Sequence, residues 1–188
     1  MVAITGERQI LMAMTKTRSD AAREEQAAQA EFEIFYLRTA RTLHGYLCRL
    51  SRDPATADEV LQDAYIRMIA VPSMDEAGRK AYLYTTATNI LRDRWRRQKR
   101  EREWTEQSSV TEETHQNFNL PVDMAAVFDQ LGAQERAVLW LAHVEEMSHK
   151  EISAILGVKE QSVLVMVFRA REKAKDLLEK AGFRGSHE

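Results

Sequence analysis

The chain has 188 residues, of which 44% are hydrophobic and 30% charged, and its formal net charge is −2. That length suits one medium domain or two small ones. Seven glycines and three prolines disfavour a turn-rich all-β fold. The single cysteine, Cys48, excludes an internal disulfide and fits a reducing cytoplasm. No stretch approaches the roughly 20 apolar residues of a membrane span.

Residues 1–30 are polar and rich in Ala, Glu and Gln. They read as a flexible extension or frayed helical tail, since so little apolar surface cannot offset the entropy of ordering. The apolar run at 10–14 is too short for a signal segment. Helical periodicity then predicts helices at 31–51, 55–70 and 78–100. Asp53-Pro54 separates the first two, because proline fixes its own φ and turns the preceding residue away from helix. Val71-Pro72-Ser73 breaks the chain again. Residues 103–123 hold no Lys or Arg and end near Pro121, as an acidic linker would. Further helices are predicted at 124–131, 133–145, 148–156 and 160–181. Ser148 and Glu151 have the spacing of a capping box, and Gly157 stands where a helix end needs positive φ. The expected fold is all-α: two small helical domains, 31–102 and 124–182, joined by an acidic linker.

Two faces are unusual. On residues 57–68, Ala57, Val60, Leu61, Ala64 and Met68 share one helical face and form core. The opposite face carries Asp58, Glu59, Gln62 and Asp63 around Ile66. It reads either as a solvated acidic face or as a protein-docking face with an apolar centre. Residues 89–102 hold seven basic residues against two acids. Tyr82, Tyr84 and several threonines lie just before them. Such a helix suits nucleic acid, since cations displace counterions from phosphates and aromatic rings stack on bases. A solvated basic end or a contact with the acidic linker are its plainer readings.

Residues 148–174 read as a helix–turn–helix: a short helix with Ile152, Ile155 and Leu156 inward, a Gly157-Val158 turn, and a second helix with Val163, Met166, Val167 and Ala170 inward. His44 and Cys48, spaced i, i+4, make a poor metal site without further ligands. No phosphate-cradling loop, nucleophile elbow or His-Glu-x-x-His pattern occurs, so neither enzymatic activity nor a cofactor is expected.

Both halves resemble one family, the extracytoplasmic-function sigma factors of the bacterial sigma-70 class. The resemblance rests on Asp53-Pro54 with Ala57-Asp58-Glu59-Val60-Leu61-Gln62-Asp63, on residues 81–96 with Asn89, Asp93 and Arg96, and on Leu131, Arg136, Val138 and Leu141. It continues through Ser148, Glu151, Ile152, Leu156, Gly157 and Val158 to Val163 and Arg169-Ala170-Arg171. It implies a cytoplasmic protein that binds core RNA polymerase and directs promoter recognition, −10 melting and initiation. By this resemblance Asp58, Glu59, Gln62, Asp63 and Ile66 meet the clamp helices of the β′ subunit, with the β subunit also a partner. Tyr82, Tyr84, Asn89, Arg92, Arg96 and Arg97 meet the −10 element, with the loop at 72–80 helping to hold a flipped base. Lys159, Gln161, Ser162, Val165, Arg169 and Arg171 meet the −35 element.

The sequence departs from the family in two places. Ala81 stands where the family often has Trp. Residues 164–168, Leu-Val-Met-Val-Phe, stand where polar or basic side chains are common. Val165 and Phe168 project outward beside Leu164. Three readings remain open: the helix reads thymine methyls, its face binds an anti-sigma factor or other protein, or it is more buried than usual. A sigma-like adaptor or decoy, whose second domain binds protein in place of −35 DNA, is the alternative function. A helix–turn–helix repressor would leave the acidic face unexplained.

Overall fold

The computed structural model describes residues 3–71, 74–104 and 122–183. Among these, every regular element is a helix: α1 (Ala3–Ser51), α2 (Pro54–Ile69), α3 (Glu76–Trp104), α4 (Val122–Asp129), α5 (Ala133–His143), α6 (His149–Leu156) and α7 (Glu160–Lys180). The chain divides into residues 1–39 and 40–188. The first of these is the amino-terminal part of α1, a continuous helix from Ala3. The stretch expected as a flexible extension or frayed helical tail is helical from Ala3. No Gly or Pro falls between Gly6 and Gly45, and strong helix formers dominate that stretch. Ile34 and Leu37 are exposed on it. Most of the expected acidic linker, residues 105–121, lies outside the described residues.

Residues 40–188 hold two helix sets. In the first, the end of α1 packs with α2 and α3. Leu43, Tyr46, Leu47, Val60, Leu83, Tyr84 and Leu91 are all but sealed from water. Each such large side chain stabilises the fold by roughly 1.5–3 kcal/mol. Tyr46 and Tyr84 stack at 5.4 Å with planes tilted by 54°. The Tyr46 and Thr88 hydroxyls share a hydrogen bond of 2.9 Å. In the second set, α7 packs against α4, α5 and α6, around Leu131, Val138, Leu141, Ile152, Ile155 and Val163.

The helix ends follow the local chemistry that the sequence carries. Asp53 caps α2, its carboxylate accepting from the Ala55 and Thr56 N–H groups, with Pro54 in the first turn. Ser148 Oγ accepts from Glu151 N–H, and Glu151 accepts from Ser148 N–H at 2.8 Å. Gly157 ends α6 at φ 66°, which L side chains seldom adopt. The Ser148 hydrogen bonds hold the Glu151 carboxyl below its ordinary value, and the Thr56 hydroxyl chiefly does the same for Asp53. At Glu135, burial opposes ionisation, but hydrogen bonds from Lys173 and the Gly132 N–H outweigh it and lower the value. Such carboxyls bind protons less readily folded than unfolded. Their stabilisation is complete above the unfolded carboxylate range and is lost as pH falls through the folded values. The urea midpoint should therefore fall on acidification from neutral pH to below about 4. Ser148→Ala should cost about 1 kcal/mol at neutral pH and flatten that acid dependence, as read by urea titrations monitored by circular dichroism.

Candidate nucleic-acid and protein interfaces

The face of α2 opposite the core carries Asp58, Glu59 and Gln62 exposed and Asp63 half-buried. Ile66 stands among them with 57% of its surface in water, and Ile69 is likewise exposed. Ile69 was not singled out from the sequence, although its i+3 spacing from Ile66 puts it on the same side. The carboxylates are partly engaged. Arg94 of α3 reaches Glu59 at 2.6 Å and Asp63 at 3.3 Å, and His44 Nε2 lies 2.9 Å from Asp58. One cation of the basic zone thus faces α2 and not solvent.

Along α3 the expected DNA-facing residues separate. Asn89, Arg96 and Arg97 are exposed, and Tyr82 and Arg92 are half-buried. Tyr84 is not at the surface at all: it is a core residue donating to Thr42 Oγ1 at 3.4 Å. Burial, with the nearby Glu145 carboxylate, pushes its phenol far above the usual value. The helical period points the same way, since position 84 falls on the stripe of Leu83, Ala87 and Leu91; the expectation of a DNA-facing ring came from its aromatic chemistry. Arg92 donates to Asn89 Oδ1 at 3.1 Å. The expected base-holding loop at 72–80 is helical from Glu76 onward, its start capped by Asp75 accepting from Gly78 N–H at 2.9 Å.

On α7, Lys159 precedes the first turn, and Gln161, Ser162, Val165, Arg169 and Arg171 all face water. Leu164 and Phe168 are each 63% exposed and Val165 47%, so burial does not account for the apolar stretch. Val163 and Ala170 are sealed, while Met166 and Val167 are half-buried.

His44 and Cys48 do share a face, with Sγ 3.6 Å from Nε2. Burial first, then Asp58, pushes the thiol up to about 11, which leaves little thiolate at neutral pH. Among the described residues no cluster of three or more His, Cys, Asp or Glu could hold a metal, and no helix is long and apolar enough to cross a membrane.

Both parts of the chain match known protein families. Residues 35–101 match the Sigma-70 region 2 family and residues 122–173 the Sigma-70 region 4 family. The RNA polymerase sigma-E factor of Streptomyces avermitilis is 32% identical over 79% of this chain and 86% of its own length. The ECF RNA polymerase sigma factor SigL of Mycobacterium tuberculosis is 32% identical over 76% of this chain and 87% of its own. Among solved structures, the sigma factor RpoE of Bartonella quintana, crystallised with the anti-sigma factor NepR, is similar in fold. It gives a TM-score of 0.63 at 23% identity, over 79% of this chain and 97% of that one. CnrH, in complex with the cytosolic domain of CnrY, gives 0.57 at 24% identity, over 81% and 90%. With both sigma regions present in order and relatives matched over most of their length, the chain belongs to the extracytoplasmic-function sigma factors, proteins that direct RNA polymerase to promoters.

Proposed function

We propose that the chain performs this task through three surfaces, working in the cytoplasm and without catalytic chemistry of its own. The exposed Ile66, ringed by Asp58, Glu59, Gln62 and Asp63, docks on the β′ clamp helices of core polymerase. Asn89, Arg92, Arg96 and Arg97, with Tyr82, engage the −10 element. Lys159, Gln161, Ser162, Val165, Arg169 and Arg171 engage the −35 element, with region 2 spanning 31–102 and region 4 spanning 124–182. The observation that carries the assignment is the α2 face: an apolar centre of two isoleucines open to water inside an acidic rim is hard to explain as mere solvation.

A second reading attaches to Leu164, Val165 and Phe168. They form a contiguous exposed apolar patch on the helix expected to read DNA, and such patches usually meet a partner. RpoE is held in a complex with the anti-sigma factor NepR, and CnrH with the cytosolic domain of CnrY, which favours a protein partner covering this helix when the factor is idle.

The test is run-off transcription with purified core polymerase on a library of promoter fragments. Specific initiation with a recurring −35 sequence is expected. Polymerase binding without initiation would favour the adaptor or decoy, and initiation indifferent to the −35 sequence would move α7 to protein binding.

A further inference from the structure

Arg94 stands apart from the cations of α3 assigned to DNA. It follows Ile90 and Leu91 by four and three positions, and both of those side chains are buried. Helical spacing therefore puts Arg94 on the same side as they are, at the edge of the seam between α3 and α2. There its guanidinium spans two acids of α2. Nη1 lies 2.6 Å from Glu59 Oε2, and Nη2 lies 3.3 Å from Asp63 Oδ2. Those acids sit one turn apart, and a like-charge pair at i, i+4 disfavours a helix unless a cation relieves it. On α1, His44 Nε2 lies 2.9 Å from Asp58 Oδ1. Asp58, Glu59 and Asp63, three of the four polar residues around Ile66, are thus each held by a side chain of a neighbouring helix.

Stability does not explain the fork of Arg94. Its side chain is 26% exposed, that of Glu59 67% and that of Asp63 47%. Ion pairs this open contribute little to folding. Their larger effect is on side-chain freedom. An untethered Glu moves among rotamers, and a partner that docks on it must freeze that motion. Arg94 has already restricted both acids. Each carboxylate gives Arg94 one oxygen, and its second oxygen can still accept from a partner. A lysine is a single point charge and does not reproduce the two-pronged grip of a planar guanidinium.

We propose that Arg94 is a positioning residue for polymerase docking: it fixes Glu59 and Asp63 in the orientation that receives the partner's cations, and it makes no contact with promoter phosphate. The proposal rests on the α2 docking reading above. It takes one arginine out of the basic run of α3 and gives it to the protein interface.

The test uses the full chain with purified core polymerase, followed by biolayer interferometry. Arg94→Gln is expected to bind about tenfold more weakly through loss of preorganisation, chiefly by faster dissociation. Arg94→Lys, which keeps the charge without the fork, should lose about threefold. Circular dichroism melts should match the parent, and if Arg94→Gln unfolds early, Arg94→Lys decides by the same comparisons. A cycle of variants separates action through the acids from general packing of α2 on α3. In a Glu59→Gln or an Asp63→Asn background, Arg94→Gln should cost about threefold and no longer tenfold. The full loss in both backgrounds would overturn the proposal, as would unchanged or tighter binding by Arg94→Gln in the parent. For the assembled holoenzyme, the slope of log promoter affinity against log salt should match the parent. A slope lower by about 1 would place Arg94 on a phosphate and overturn it too. Ile66→Glu tells this failure from failure of the docking reading: parent-like polymerase binding by that variant removes α2 as the docking face, whatever Arg94 does.

Discussion

Ile66→Glu is expected to weaken binding of core RNA polymerase by about 30-fold or more and to leave thermal unfolding unchanged. A central interface residue surrounded by a polar rim typically contributes about 2 kcal/mol or more, and each 1.4 kcal/mol is tenfold in affinity. Ile66 already faces water in the free chain, so a carboxylate there creates no buried charge and no cavity. In the complex it would be desolvated beside Glu59, Gln62 and Asp63. The choice of residue matters. Charge reversal at Glu59 or Asp63 would also break their pairing with Arg94, and a loss of binding could then reflect movement of α3. Exposed pairs of that kind are worth about 0–1 kcal/mol, so the reversals would barely shift stability while confusing the readout. Biolayer interferometry with purified core polymerase measures the effect. Parent-like binding by the variant would sink the clamp assignment on α2.

The second large effect is expected on α7. Val165→Ser with Phe168→Ser should lower run-off from a promoter found with the parent by roughly 10- to 100-fold, since lost base contacts cost about 1–3 kcal/mol each. Core polymerase binding should persist. Both side chains are largely exposed, so circular dichroism melts should match the parent. The outcome separates the two readings of the apolar patch. Loss of promoter-specific initiation supports reading of thymine methyls. Undiminished initiation, with loss of affinity for an anti-sigma protein, would assign the patch to a protein partner.

The contrast between α7 and α3 shows what kinds of residue the sequence discloses. On α7 the outward position of Leu164, Val165 and Phe168 was legible from the 100° repeat, because Val163 and Ala170 anchor one face of the helix against a single neighbouring set. On α3 the same arithmetic was available for Tyr84, yet its chemistry suggested a base-stacking ring. Burial against Tyr46 overruled that suggestion. An aromatic hydroxyl serves a core and a surface equally well, and only its neighbours decide.

Local signals depend on nearby atoms, and these the chain alone determined. Pro54 and Asp53 start α2, Ser148 with Glu151 starts α6, Gly157 ends it, and the hydrophobic period sets which face of each helix turns inward. The order of motifs along the chain was enough to point to the sigma-70 class. Tertiary structure decided everything that joins distant residues. Arg94 turns toward the acids of α2, 35 and 31 positions away in sequence from its partners. Arg92, Arg136, Arg52 and Lys80 meet the other helix set across separations of 64 to 86 residues. A guanidinium has no intrinsic preference among carboxylate, helix carbonyl and phosphate, so its spacing within one helix carries no information about its partner. That choice depends on which negative end the packing of the two sets brings within about 3 Å.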